Sequence, residues 1–260
     1  MDALLSKLTN LGYELFGVFF PGFGMLIGVL AVWIAAGPSL AWLGIPHLTL
    51  LEFADVLGHV QDMTFAYPLV GIIIISYTLG QFLKWVSRGG QKEPNSPSSM
   101  WIVAAFLKWN VPKANKNYDC RLKPLLFDAN TKLFPNDKKE EYLWKKFYTV
   151  AKAFLNETAA HTLLPTYQNK YTMHRSLSAA SAIVFWACLG LLLISLWSRF
   201  SGVIPPAHWQ FVVVLLCASA LSRYQFWRSY QFNWRLWGDA VITETYMHLI
   251  ALVDDDKTNS

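Results

Sequence analysis

Four stretches of this sequence run close to twenty residues with almost no charge, and that feature decides most of what the chain can become. The first extends from Leu15 to Ala36. The second lies between Asp62 and Lys84 and is centred on the run Leu69-Val70-Gly71-Ile72-Ile73-Ile74-Ile75. The third lies between Arg175 and Arg199, centred on Phe185 to Leu196. The fourth falls between Arg199 and Arg223, where Pro205-Pro206 shortens the expected helix to Ala207–Tyr224. A bilayer core about 30 Å thick takes roughly 20 apolar helical residues to cross. A water-soluble domain interrupts its apolar runs with charge every few residues and carries roughly 25% charged residues. Here 54% of the 260 residues are hydrophobic and 15% are charged, so a membrane is the solvent these stretches suit.

The expected fold is therefore all-α: a polytopic membrane protein with four transmembrane helices and a small helical cytosolic layer. The first stretch is expected to be a retained helix, not a signal peptide. Lys7 is its one early cation, its apolar run is long, and no small-residue cleavage site follows.

Lys and Arg placement orients the helices, because cations are retained on the cytosolic side. Sixteen of the 22 Lys and Arg residues lie between residues 84 and 175, whereas residues 37–62 have none. The long central segment and both termini are thus expected in the cytosol, at a plasma (inner) membrane. Aromatic residues agree, with Tyr224, Trp227, Tyr230, Trp234 and Trp237 crowding the inner end of the fourth stretch. The division this gives is 1–86, an N-terminal helix pair with a short outer loop; 87–176, a basic cytosolic region; 177–224, a second helix pair; and 225–260, a cytosolic helix and tail.

Within the cytosolic part, Ser87–Ser99 is rich in Gly, Pro, Ser and Asn and reads as a connector. Met100–Trp109 is apolar but too short to span, and residues 110–137, with their prolines, are expected to be irregular. The strongest soluble helix covers Asp137–Leu163, with Leu143, Phe147, Val150, Phe154 and His161 on one face. Pro165 ends it, and Tyr167–Ser178 is expected to run straight into the third span. Arg223–Val253 should extend the fourth span as a helix, with Arg235 able to pair with Asp239, before a frayed acidic tail from Asp254. Outside, Leu48–Val60 is amphipathic.

Few residues point to chemistry. Gly24 and Gly28 form a GxxxG in the first span, and small residues let helix backbones approach. Self-association and packing against another helix of the same chain fit this spacing equally. Glu14, at the cytosolic edge of the first span, is expected to reach water or a nearby cation. Glu157/His161 and Glu244/His248 are two i,i+4 pairs, each on one helical face. Four such groups converging could hold a metal, with His174 or Asp239 added. The spacing is neither HExxH nor ExxH, and a hydrogen bond within each helix explains it more simply.

No Walker A loop, GxSxG elbow or dinucleotide fingerprint appears, so no catalytic residue and no cofactor is assigned. The three cysteines lack metal or disulfide spacing. Nucleic acid is not an expected partner, since the dispersed basic charges lie beside a membrane and suit anionic lipid heads. The expected partners are the lipid bilayer, further copies of the chain in a homo-oligomer, and a cytosolic protein.

The function expected from this layout is a non-enzymatic membrane effector or accessory subunit that receives a signal through its cytosolic helices. Stress-response and phage-defence (antiviral) effectors share that layout, which is a likeness of plan without a shared motif. An oligomeric channel or transporter, and a metal-dependent membrane enzyme using the two Glu/His pairs, are the alternatives. Scarce polar groups within the spans argue against an ion-coupled transporter.

Overall fold

The computed structural model describes residues 14–42, 66–88, 118–133, 143–158, 163–202 and 208–258, with the single positions 12, 52, 55 and 58. Every element among them is helical. After a π-helical turn, Leu15–Phe19, come α1 (Phe20–Trp42) and α2 (Ala66–Arg88). A 3-10 turn, Cys120–Leu122, leads into α3 (Lys123–Leu133), followed by α4 (Leu143–Thr158), α5 (Leu164–Ser201) and α6 (Trp209–Thr258).

Among the described residues, three segments are long and apolar enough to cross a membrane: Leu15–Ala41, Pro68–Ser87 and Leu164–Ser201. These correspond to the first three expected spans. The fourth stretch lies at the start of α6, where the uncharged run Trp209–Ser222 gives about 21 Å of helix at 1.5 Å per residue. That is short of a bilayer core of about 30 Å.

The described residues fall into two compact units. One, here the apolar unit, takes in those between 11 and 111 and those of Thr172–Ser229; the other takes in those between 112 and 171 and between 230 and 260.

In the apolar unit, α1 and α2 run antiparallel with their backbones in contact. A Cβ placed on Gly22 would strike the Ser76 carbonyl, and one on Gly80 would strike the Val18 carbonyl. The π-turn, in which the Phe20 N–H reaches the Leu15 carbonyl, sits directly before Pro21. A proline ring clashes with the carbonyl four residues earlier, and the wider turn accommodates that clash. Helix α1 also continues past Ala36 and through Pro38 to Trp42. In apolar surroundings, losing one hydrogen bond at a proline costs less than exposing a frayed backbone. Helix α5 packs on α1 and α2 through a cluster of Met25, Leu83, Ala179 and Ala180. Helix α6 joins through Ala35, Val184, Cys188 and Val212, and the His208 N–H donates to the Ala35 carbonyl at 3.2 Å. Large apolar side chains point outward from this unit: Ile72, Ile73, Ile74 and Ile75 are all exposed, Ile74 at 59%. Such a surface is stable against lipid and unfavourable against water.

The second unit has its own core, made of Leu126 and Ala129 from α3, Phe147, Ala151 and Leu155 from α4, Leu164 from α5, and Trp237, Ala240, Val241 and Ile242 from α6. Helix α3 falls in the region expected to be irregular. Asp119 caps the preceding turn by accepting the Arg121 N–H at 2.9 Å, and Pro124 sits in the first turn of α3, where its missing N–H leaves no gap. Leu122, Leu126, Ala129 and Leu133 then recur at helical spacing on the core side. On α4 the buried stripe is Phe147, Ala151 and Leu155, while Val150, expected on that face, is 37% exposed. The stripe follows the i,i+4 row through alanine, which hydrophobicity alone underweights. Trp234 and Trp237, expected as interfacial rings, belong to this core with Tyr148 and Tyr171. Ring centroids in the group lie 4.9–5.1 Å apart for Tyr148–Trp237, Trp234–Trp237, Tyr171–Trp234 and Tyr171–Trp237.

As expected, Tyr167–Ser178 is continuous with the third span inside α5, and α6 carries the fourth stretch on through Val253. The expected fraying from Asp254 is not observed, since α6 extends to Thr258. Adding residues to an already formed helix fixes one at a time and costs little. The connector Ser87–Ser99 beyond Arg88, the segment Met100–Trp109 and most of Leu48–Val60 lie outside the described residues.

Candidate functional site

At the start of the π-turn, Glu14 faces two residues of α2 spaced one turn apart. Tyr77 Oη donates to Glu14 Oε2 at 2.9 Å, and Gln81 Nε2 donates to Tyr77 Oη at 2.9 Å and to Glu14 Oε2 at 3.5 Å. The carboxylate expected to seek water or a cation is thus held by neutral donors of the neighbouring helix. The i,i+4 spacing of Tyr77 and Gln81, after the apolar run Leu69–Ile75, was the readable signal, because polar groups in a span usually find each other.

Gly24 and Gly28 have different surroundings. A Cβ on Gly28 would come within 2.5 Å of Val184 Cγ2 on α5, whereas one on Gly24 would have Leu177 Cδ2 at 3.5 Å as its nearest neighbour. Gly24 is exposed. Gly28 therefore packs within the chain, and Gly24 leaves a shallow exposed site on α1.

The four Glu and His residues are placed as follows. Glu157 is in the last turn of α4, and His161 lies outside the described residues. Glu244 and His248 are both half-buried on α6. Glu244 Oε1 accepts the Leu163 N–H at 3.0 Å. That N–H precedes α5, where early helical donors lack partners within the helix, so Glu244 fastens the start of α5. Among the described residues no group of three or more His, Cys, Asp or Glu side chains comes together to hold a metal. His174 stacks on Phe226 in the apolar unit, with centroids 6.1 Å apart.

Asp239 has a partner the sequence did not suggest. Its Oδ1 accepts the Asp119 N–H at 2.7 Å, tying the turn before α3 to α6. Burial raises the Asp239 carboxyl above its ordinary value, with the Asp119 N–H and Arg235 opposing. Asp119 is shifted down, first by the Arg121 N–H it accepts. The signs therefore differ. Asp239 contributes stability below its unfolded pKa and loses it as pH rises through its higher folded value. Asp119 contributes above its unfolded pKa and loses it as pH falls through its lower folded value. Asp239→Asn, which keeps an acceptor without the charge, is expected to hold neutral-pH stability and flatten the acid-side dependence. Asp239→Ala leaves a donor without its partner and should cost about 1–3 kcal/mol in chemical denaturation of the purified protein.

Burial, with Tyr171 adding to it, also pushes the Tyr148 phenol well above its ordinary range, so it stays a neutral part of the core. Lys152 sits 6.0 Å over the Trp237 ring and Lys132 sits 5.2 Å over Tyr246, each placing a cation at the edge of the aromatic group. The chain matches no protein-family model, no curated protein and no solved structure.

Proposed function

We propose that the chain is a non-enzymatic membrane effector or accessory subunit, in which a cytosolic helical layer receives a partner or signal and the embedded helices respond by associating. The observation that carries this reading is the continuity of α5 and α6. The boundaries between the units fall inside these helices, at Tyr171/Thr172 and Ser229/Tyr230. A helix without a break transmits rotation or tilt along its axis, which a flexible linker does not.

In this reading, α6 crosses as the fourth span despite its short uncharged run. It packs along α5 inside the bundle, and Arg223 extends from its end toward the headgroups. On the same reading, the end bearing Lys84, Arg175, Arg223 and Arg228 is cytosolic, with both termini in the cytosol at a plasma membrane, because cations are retained on that side. The exposed site at Gly24 is the surface offered to a second copy. A role in stress response or phage defence fits this plan.

Oligomeric state in nanodiscs tests the proposal. Wild type is expected to form a discrete oligomer. Gly24→Leu, which has room within its own chain, should shift the distribution toward monomer without loss of fold. Strictly monomeric wild-type protein at high loading would falsify the associating effector.

A further inference from the structure

The two ends of the apolar unit differ in charge. Contacts of Gly24 with Leu177 and Gly28 with Val184 make α1 and α5 parallel, and α2 and α6 run antiparallel to them. Lys84, Arg175, Arg223 and Arg228 consequently gather at one end. Among the described residues, Arg199 is the cation at the other end, with its guanidinium 5.7 Å over the Trp209 ring.

At the cationic end, the His174–Phe226 stack, with rings inclined by 29°, sets α5 and α6 at one depth. Arg175 follows His174 directly. Arg223 lies three residues before Phe226, about 4.5 Å along the axis. Both arginines are half-buried. They stand where the uncharged stretches of α5 and α6 end, the position from which an arginine reaches toward headgroups. Arg228, exposed, holds its guanidinium 5.7 Å over the Tyr224 ring, and half-buried Trp227 completes the layer.

This chemistry is selective. A guanidinium offers a planar fork of donors that matches phosphate oxygens, and it stays charged when partly desolvated. Tyr and Trp rings settle at the glycerol level beside such a phosphate. A phosphodiester with a neutral headgroup keeps its negative charge for the arginines, whereas a choline headgroup brings a competing cation. From this layer we infer a binding site for the headgroup of an anionic phospholipid, held by Arg175 and Arg223 with Arg228 at the rim. The inference rests on the membrane reading above and adds a lipid class to it.

Full-length protein in mild detergent is titrated with phosphatidylglycerol or phosphatidylcholine, and bound lipid is counted by native mass spectrometry. Phosphatidylglycerol should bind about 25-fold more weakly to the Arg175→Gln/Arg223→Gln variant than to wild type, about fivefold for each charge removed. Arg199→Gln should match wild type, and phosphatidylcholine should bind weakly to all three. Equal uptake of the two lipids by wild type overturns the site, as does unchanged phosphatidylglycerol binding by the double variant. If that variant does not fold, the wild-type preference is followed with rising salt. A preference that shrinks as the charges are screened supports the site, and one indifferent to salt overturns it. Protein that needs detergent yet shows no lipid preference fails only this inference, whereas protein soluble without detergent fails the membrane reading itself.

Discussion

Gly22→Leu is expected to abolish assembly of the apolar unit, while Gly71→Leu leaves it intact. Both glycines lie in uncharged stretches, and hydropathy treats them alike. Their surroundings differ. Any side chain on Gly22 meets the Ser76 carbonyl and the Gly80 N–H, which are backbone atoms that no rotamer change can move. Gly71 has nothing within 4 Å of the equivalent position. Forcing α1 and α2 apart forfeits dispersion contacts along their whole crossing, and association in lipid depends on those contacts. The cost should be about 3 kcal/mol or more, at or beyond the upper end of ordinary overpacking. Gly80→Leu, opposed by the Val18 carbonyl, should behave like Gly22→Leu. Folded yield and resistance to denaturant in detergent report the effect. Equal behaviour of the Gly22 and Gly71 variants would remove the close crossing from the fold.

The second large effect belongs to the other core. Phe147 is fully buried against α3 and α6, and Phe147→Ala should destabilise that unit by about 3–5 kcal/mol through lost burial and the cavity left behind. Val150→Ala, three residues along but on the exposed side, should cost less than about 1 kcal/mol. Limited proteolysis between residues 118 and 171 reads the difference. Cleavage should accelerate strongly in the Phe147 variant and hardly at all in the Val150 variant. Comparable sensitivity of the two would mean the stripe is rotated from Phe147-Ala151-Leu155.

What was legible in the sequence followed from signals that are long and one-dimensional. Uncharged runs located the three described helices that are long and apolar enough to span, and the absence of breakers after Pro165 and Arg223 announced that α5 and α6 continue. What escaped was carried by single small or polar residues whose meaning depends on a partner far away in the chain. Ser76 and Gly80 form a close-approach surface only because Gly22 faces them. Asp119 and Pro124 start α3 in a stretch whose prolines suggest irregularity. Trp234 and Trp237 looked interfacial by their position after a span, yet Trp237 is buried and Trp234 half-buried, packed with Tyr148 and Tyr171. The Glu244/His248 spacing suggested a hydrogen bond within the helix, with a metal as the lesser alternative, whereas Glu244 receives the Leu163 N–H from the start of another helix. The fourth stretch exposes the limit of hydropathy most clearly. A run of about 21 Å neither requires nor forbids a crossing, and its fate depends on packing and on where Arg223 can reach.

The native cysteines allow that topology to be probed without adding a residue. Cys120 is exposed in the second unit, and Cys217 is exposed on the apolar part of α6, where the four-span topology places lipid. Membrane-impermeant maleimide is applied to right-side-out and inside-out vesicles containing the full chain. The topology predicts labelling of Cys120 in inside-out vesicles alone, and of Cys217 in neither until detergent is added. Labelling of Cys120 from the outer side, or of Cys217 in intact vesicles of either orientation, would contradict it.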